Sequence, residues 1–467
     1  MTPLHPAFDR SRPPLCGTPK DVLFPDYFEH ALSNGLRVLV YEQPGFPLAT
    51  MQLVARGGAS RDGDVPGLAA ITSELLIKGT RRRSSHDIAE EIESRGGSIW
   101  SGAGWDSCVV GIGILSRHIP HAFDVLADTV RNPAFAEEEI ERLKEQRLAD
   151  ILQDKSNPTV LAWHRFCGAV YGEHPYGRPQ DGTEASLAVI DIERLRASHA
   201  ERFSPSQCFL LVVGDASPAQ IVALAEEHFG DWSVPTAEDA GSMPIPPLSG
   251  RQVHVVDRPT AVQSSIVVGH PGIARNSEDY IPVSLMNTLF GGYFGSRLNL
   301  NLREARGYTY GAHSRFDARM QQGPFAAGAE VRMEVTDLAI EEVLTEMRRM
   351  REEVIPEDEL AKVQSYLTGS FPLQIETPSQ VAQRIVTIEL YGLSKTYYNH
   401  FNSTVLSLRP EDIQRVAVQY LNPDDAVIVA AGRGKQLRNT LERFGRVQVF
   451  DADGQVIPNI SPIAQDV

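Results

Sequence analysis

Thirteen histidines in 467 residues are ample for a metal site, yet they do not cluster. His118 and His121 stand three apart with no third ligand evident, His164 lies in AWHRFCG beside an apolar helix face, and His174 belongs to the HPYGRP turn. Catalytic zinc needs about three protein ligands and one open position, so these four read as structural or solvent-facing groups. Cys16, Cys108, Cys167 and Cys208 are far apart and form no C-x-x-C pair, which favours reduced thiols and a cytoplasmic location. The glycine-rich stretch Gly291-Gly292-Tyr293-Phe294-Gly295 is not followed by the Gly-Lys-Ser/Thr of a phosphate loop. Arg81-Arg82-Arg83 reads as a solvated helix end, not a nucleic-acid patch. Arg303 and Tyr310, seven apart, remain. By spacing alone they are a helix-end arginine and a half-buried strand tyrosine.

The chain that must hold such groups is acidic. With 44 Lys+Arg against 60 Asp+Glu its formal charge is −16, which argues against nucleic acid or an anionic membrane as the main partner. Its 42% hydrophobic content allows a substantial core. No apolar run reaches the ~18 residues of a membrane span. The opening MTPLHPAFDRSRPPLCGTPKDVLF carries prolines and charges where an export signal needs continuous apolar sequence.

At roughly 100–200 residues per domain the length predicts two to four domains. Residues 1–24 form a Pro-rich leader, 25–233 a first domain, 234–252 a linker containing VPTAEDAGSMPIPPLSG, and 253–467 a second domain. Sliding the chain on itself by 213 positions sets Leu53-Val54-Ala55 over Ile266-Val267-Val268 and Gly79 over Gly292. A shift of 218 sets Pro205 over Pro423 and Gly214 over Gly432, making CFLLVVGD and AVIVAAGR equivalent strand-and-turn units. Two registrations so close together indicate duplication.

Each half reads as strand, strand, helix, helix, strand, strand and then several helices. Leu68, Ile71, Leu75 and Leu76 have helical spacing after Pro66. Ser85 can cap a helix carrying Ile88 and Ile92, Ser107 to Leu115 is a strand, and Glu137-Glu138-Glu139 open a helix striped by Ile140, Leu143, Leu148 and Ile151. Ser296 to Arg306 reads as a helix with Leu298, Leu302 and Ala305 inward, ended by Gly307 and followed by a strand through Tyr308, Tyr310, Ala312 and Ser314. The class is α+β, with helices packed on sheets.

Several motifs then act in combination: NGLRVLV at Asn34 to Val40, Gly57-Gly58, G-L-A followed by LLIKGT up to Thr80, GEHPYGRP at Gly172 to Pro179, and LFGGYFGSRLNLNLREARGYTYGA at Leu289 to Ala312. Over nearly its whole length the chain resembles the insulinase and mitochondrial processing peptidase family of pitrilysin-type zinc metallopeptidases. The resemblance implies two homologous sheet-and-helix domains facing each other around a peptide-holding chamber. It also implies an inverted H-x-x-E-H zinc motif on the helix before Lys78-Gly79-Thr80, with a third carboxylate ligand downstream. This sequence departs at every such position. The first histidine falls on Ala70, the base on Ser73, the second histidine on Glu74 and the third ligand on Asp150. Two carboxylates without imidazole make a poor zinc site, and serine is no general base at neutral pH.

Family members also carry an Arg and a Tyr, seven apart, that hold the substrate backbone opposite the zinc. Arg303 and Tyr310 match that pair, and Gly291 and Gly292 of the glycine-rich loop are expected to border the chamber. The resemblance therefore implies a non-catalytic, substrate-binding subunit of a heteromeric zinc endopeptidase acting on peptides or unfolded proteins. It binds no cofactor itself, is inactive alone, and works as a heterodimer or larger assembly with a homologous zinc-motif chain. The competing expectation is an assembly protein that keeps the fold as an interaction surface, as core subunits of a respiratory complex in this family do. An assembly scaffold has no need of Arg303 and Tyr310.

Overall fold

The computed structural model describes residues 17, 21–234, 241 and 243–458. Most of the leader and linker residues 235–240 and 242 lie outside the described residues.

Two six-stranded sheets are built on one plan. The first comprises β1 (Phe28–Ala31), β2 (Arg37–Glu42), β3 (Leu48–Arg56), β4 (Ser98–Ala103), β5 (Ser107–Leu115) and β6 (Cys208–Gly214), in the order β1-β2-β6-β3-β5-β4. The second comprises β7 (Gln252–Asp257), β8 (Gln263–Pro271), β9 (Thr309–Phe316), β10 (Pro324–Arg332), β11 (Val427–Gly432) and β12 (Val447–Phe450), in the order β12-β7-β11-β8-β10-β9. Dropping the outermost β1 and β12 leaves the same five-strand arrangement in each half, as the repeat implies. Those two extra strands differ: β1 runs antiparallel to β2, whereas β12 runs parallel to β7.

Every residue of β6 and β11 is buried. Their unbroken apolar runs follow from that, since a strand covered on both faces needs no polar alternation. One face of each sheet packs on helices of its own half, forming the two large apolar cores. The other face is covered by a helix from the opposite half. The Pro158–Tyr171 helix lays Leu161, Phe166 and Val170 against Val256, Val427 and Val429 of the second sheet. The Pro378–Tyr391 helix lays Val381, Ala382 and Ile385 against Leu39, Val54 and Leu211 of the first. Both helices start alike, with a side-chain cap (Asn157 or Thr377) before a proline at the first helical position, and both end in Tyr-Gly.

Polar contacts fix the exchange. On the Pro378–Tyr391 helix, Glu389 accepts from Tyr27 Oη at 2.6 Å and Arg37 at 2.7 Å. Where the β4–β5 and β9–β10 hairpins meet, buried Asp106 accepts from Tyr176 Oη at 3.2 Å, Tyr391 Oη at 3.1 Å and Met320 N at 2.9 Å. Arg319 stacks on Trp105 and Tyr176 beside it. Desolvation is the main cause holding the Asp106 carboxyl above its usual range, against the pull of those donors.

Some local expectations need correction. Ser84, not Ser85, caps the Ser85–Glu93 helix, because its hydroxyl and backbone N–H close a capping box with Asp87. Arg82 and Arg83 are not a solvated helix end: both pair with Asp124 and Asp128, and Asp128 is buried. Ala305 is exposed although Leu298 and Leu302 are buried. Asn299–Ala305 winds as a π-helix, whose wider turn carries Ala305 off the apolar stripe.

Because each exchanged helix joins both halves, Phe166→Ala and Ile385→Ala should each cost about 2–5 kcal/mol. Urea unfolding of either variant should remain one transition; two resolved transitions would contradict the exchanged architecture. His270 supplies a pH test. It accepts from Asn422 N at 3.0 Å and its other ring nitrogen faces Pro271 O at 2.8 Å, so the buried ring is held neutral. Burial lowers its pKa from 6.5 to about 4. The unfolded state takes up the proton first, so this contribution to stability is full above the unfolded value and falls by about 3 kcal/mol as pH drops through the folded one. In His270→Gln, stability plotted against pH should lose that part of its slope between those limits.

Candidate functional site

The Leu68–Leu75 helix, on which the family resemblance places the zinc-motif positions, is fixed at its start by a buried carboxylate. Buried Asp62 accepts from Gly67 N and Ala69 N at its first turn, both at 2.9 Å, and from buried Arg202 at 2.9 Å. Desolvation outweighs the arginine and pushes the Asp62 carboxyl up to about 6. Along this helix Ala70 and Ser73 are buried, and the Ser73 hydroxyl lies beside the Cys108 thiol. Glu74 is ion-paired to Arg147, whose guanidinium also lies 3.9 Å from Asp150 and 3.8 Å from Asp181. The structure thus brings Glu74 and Asp150 to one place, but around a cation supplied by the chain.

These residues do not fit zinc. Ala70 offers no ligand atom, Ser73 cannot activate water, and the Glu74 carboxylate is already compensated by a guanidinium. Among the described residues no group of three His, Cys, Asp or Glu side chains is placed to hold a metal. Arg147 escaped the sequence reading, although it lies three residues before Asp150 on the same helix, a spacing that makes ion pairs.

The other candidate residues lie in the second half. The chain leaves the Tyr280–Asn287 helix through a π-helical turn, Thr288–Gly292. A side chain at Gly291 would come within 2.7 Å of Ser314 N, so only glycine lets the turn approach β9 this closely. Gly292 is exposed and begins the loop to the Asn299–Ala305 helix. Arg303 lies in the last turn of that helix, its guanidinium 4.5 Å from the centre of the exposed Phe294 ring and 3.5 Å from Glu304. Gly307, at φ +61°, reverses the chain into β9. Tyr310 follows on β9 and is 92% exposed, an unusual position for a large aromatic side chain.

Tyr310 stands at a groove of about 590 Å³. The exchanged Pro158–Tyr171 helix contributes Val160 and Trp163, and the outer face of the second sheet contributes Val267, Gly328 and Ala329. Arg315 stacks on Trp163 at 4.7 Å, and Thr159 donates to Glu330 at 2.8 Å across the groove. Desolvation, then the Arg315 charge, lowers the pKa of His313 on the same strand. Phe294, Trp163 and this groove are features that spacing did not reveal, because they join segments distant in sequence.

Two six-stranded sheets on one plan, each packed on helices, with no metal-holding group among the described residues, define the class as a duplicated sheet-and-helix scaffold. The chain belongs to the insulinase family, peptidase family M16: residues 37–184 match that family and residues 190–367 match the peptidase M16 inactive domain. It is 27% identical over 368 residues to an uncharacterised zinc protease of Rickettsia bellii, covering 78% of this chain and 86% of that protein. A peptidase M16 inactive domain from Pseudomonas fluorescens superposes with a TM-score of 0.82 at 28% identity, covering 87% of this chain and 98% of the other. A protease from Helicobacter pylori shares the fold with a TM-score of 0.83 at 18% identity, over 88% of this chain and all of that one.

The purified chain, dialysed against micromolar zinc, should retain well under one equivalent by elemental analysis. Arg147→Ala should leave that result unchanged, since removing the cation restores neither imidazole; one tightly held equivalent in either protein would refute this account of the locus.

Proposed function

We propose that the chain is the non-catalytic, substrate-binding subunit of a heteromeric zinc endopeptidase acting on peptides or unfolded proteins, with the zinc on a homologous partner chain. The observation that carries this reading is the exposed Tyr310 phenol following a half-buried Arg303, in a chain whose own metal positions are filled by Ala70, Ser73 and an Arg147-paired Glu74. Water activation belongs to the partner. This chain's part is to bind and orient. The Arg303 guanidinium and Tyr310 hydroxyl donate to a substrate carbonyl oxygen, where such donors gain strength as negative charge develops. The groove beside Tyr310 accepts an apolar side chain of the same peptide, whose burial contributes about 1.5–3 kcal/mol.

Three buried free cysteines, with no disulfide among the described residues, accord with a reducing compartment and support a cytoplasmic assignment. No described helix is long and apolar enough to cross a membrane. An assembly role without proteolysis is the second reading, and the exposed phenol speaks against it.

With the zinc-motif chain that co-purifies with it, this subunit should restore peptide cleavage that neither chain shows alone. Arg303→Ala with Tyr310→Phe should then lower kcat/KM by about 10²–10³, as loss of oxyanion donors does, while co-elution of the two chains is unaffected. Cleavage that is indifferent to both substitutions would favour the assembly role.

A further inference from the structure

Arg303 and Tyr310 lie on different elements, and one side chain ties those elements together. Asn299 is buried and sits four residues before Arg303 in the same π-helical run. Its Oδ1 accepts from Ala312 N at 3.0 Å and its Nδ2 donates to Ala312 O at 2.7 Å. Ala312 is two residues past Tyr310 on β9, and the register with β10 shifts between them, Ala312 pairing with Ala329 but Thr309 with Val331, so Asn299 anchors the strand just after the bulge that presents Tyr310. The carboxamide thus does for Ala312 what a peptide unit of a neighbouring strand would do, satisfying N–H and C=O together. The same Nδ2 lies 3.3 Å from Tyr293 O and 3.2 Å from Ser296 Oγ, reaching the loop that presents Phe294 beneath Arg303. Asn287 makes a looser contact two residues along the strand: its Nδ2 donates to Ser314 O at 3.2 Å, and its Oδ1 accepts from the Ser314 side-chain hydroxyl at 2.8 Å, not from the backbone N–H.

Strand β9 is the open edge of its sheet. Two asparagines occupy that edge at Ala312 and Ser314. Between Arg303 and Tyr310 the backbone passes through Gly307, a conformationally permissive reversal. We propose that Asn299 is the positioning residue of the Arg303–Tyr310 pair, clamping the helix that carries the guanidinium to the strand that carries the phenol at a set separation. The inference rests on the reading that this pair acts on substrate. It adds that the pair is preorganised from a third residue which never touches substrate.

The test combines hydrogen exchange on the isolated chain with kinetics of the assembly formed with the co-purifying zinc-motif chain. Asn299→Ala removes the acceptor of the Ala312 N–H, so exchange at Ala312 should rise at least tenfold while the amides of β10 and β11 stay protected. Asn299→Asp keeps that acceptor and loses both donors; it provides the reading if the alanine variant does not fold. In cleavage, either variant should lower kcat by about 10–100-fold with little change in KM, the cost of a small misplacement of catalytic donors. In the Arg303→Ala, Tyr310→Phe background the same change at Asn299 should add almost nothing. A full additional loss in that background would mean that Asn299 acts on stability or on another group, and would overturn the inference, as would unchanged Ala312 exchange in Asn299→Ala. If the Arg303 and Tyr310 substitutions alone have no effect, the substrate-binding role falls, whereas the exchange measurement still reports whether Asn299 holds the strand.

Discussion

Each half of this protein covers the other's sheet, and the rest of the structure depends on that exchange. A six-stranded sheet has two faces to bury, and the helices local to each half cover only one. The Pro158–Tyr171 and Pro378–Tyr391 helices supply the missing layer reciprocally. This explains why β6 and β11 are apolar without alternation, and why polar anchors such as Glu389 and Asp106 reach across from one half to the other. It also makes the groove beside Tyr310. The first turns of a first-half helix form one wall and the second sheet forms the floor, so the candidate substrate surface exists only when both halves are folded together.

The Leu68–Leu75 helix is fixed by contacts within the first half. The helix carrying Ala70, Ser73 and Glu74 is oriented by the Asp62 carboxylate at its N-terminal N–H groups and by the buried Asp62–Arg202 pair. An uncompensated buried charge there would be costly, and the pairing avoids it. Further along, Glu74, Asp150 and Asp181 still require a counter-charge, which Arg147 supplies from the helix that bears Asp150. A fixed organic cation satisfies the carboxylates but leaves no open coordination position and activates no water. The Glu74 carboxylate is therefore engaged by the chain itself, while Tyr310 stays exposed to solvent.

How much of this was legible in the sequence follows from the range of the interactions. The duplication, the paired glycines at Gly214 and Gly432, and strands such as Ser107–Leu115 are local patterns, and the structure reproduces them. The positions Ala70, Ser73 and Glu74 come from a five-residue motif read directly against its neighbours, and Asp150 from a position expected far downstream. The exchange of helices could not be read, because a helix's apolar stripe does not say which sheet it meets. Arg147, Phe294 and Trp163 were missed for the same reason: each acquires meaning only from a partner brought close by the fold. Ala305 was misplaced because a 3.6-residue period was assumed where the helix winds wider.

That wider winding has a structural logic of its own. Two π-helical segments, Thr288–Gly292 and Asn299–Ala305, flank the loop that carries Phe294. Such turns give up regular i→i+4 bonding, and they are common where function requires an unusual placement of side chains. Here each lies next to an asparagine aimed at β9, Asn287 immediately before the first segment and Asn299 at the start of the second. The Asn299 carboxamide, bonded to both backbone groups of Ala312, closes that edge position to any other strand. Tyr310 lies just before the closed stretch and remains exposed, so the edge is blocked where it must be rigid and open where a ligand can reach it. Less regular helix winding, a glycine at the tightest approach and two side-chain amides in place of a strand are thus parts of one arrangement, which holds an arginine and a tyrosine towards solvent on a rigid base.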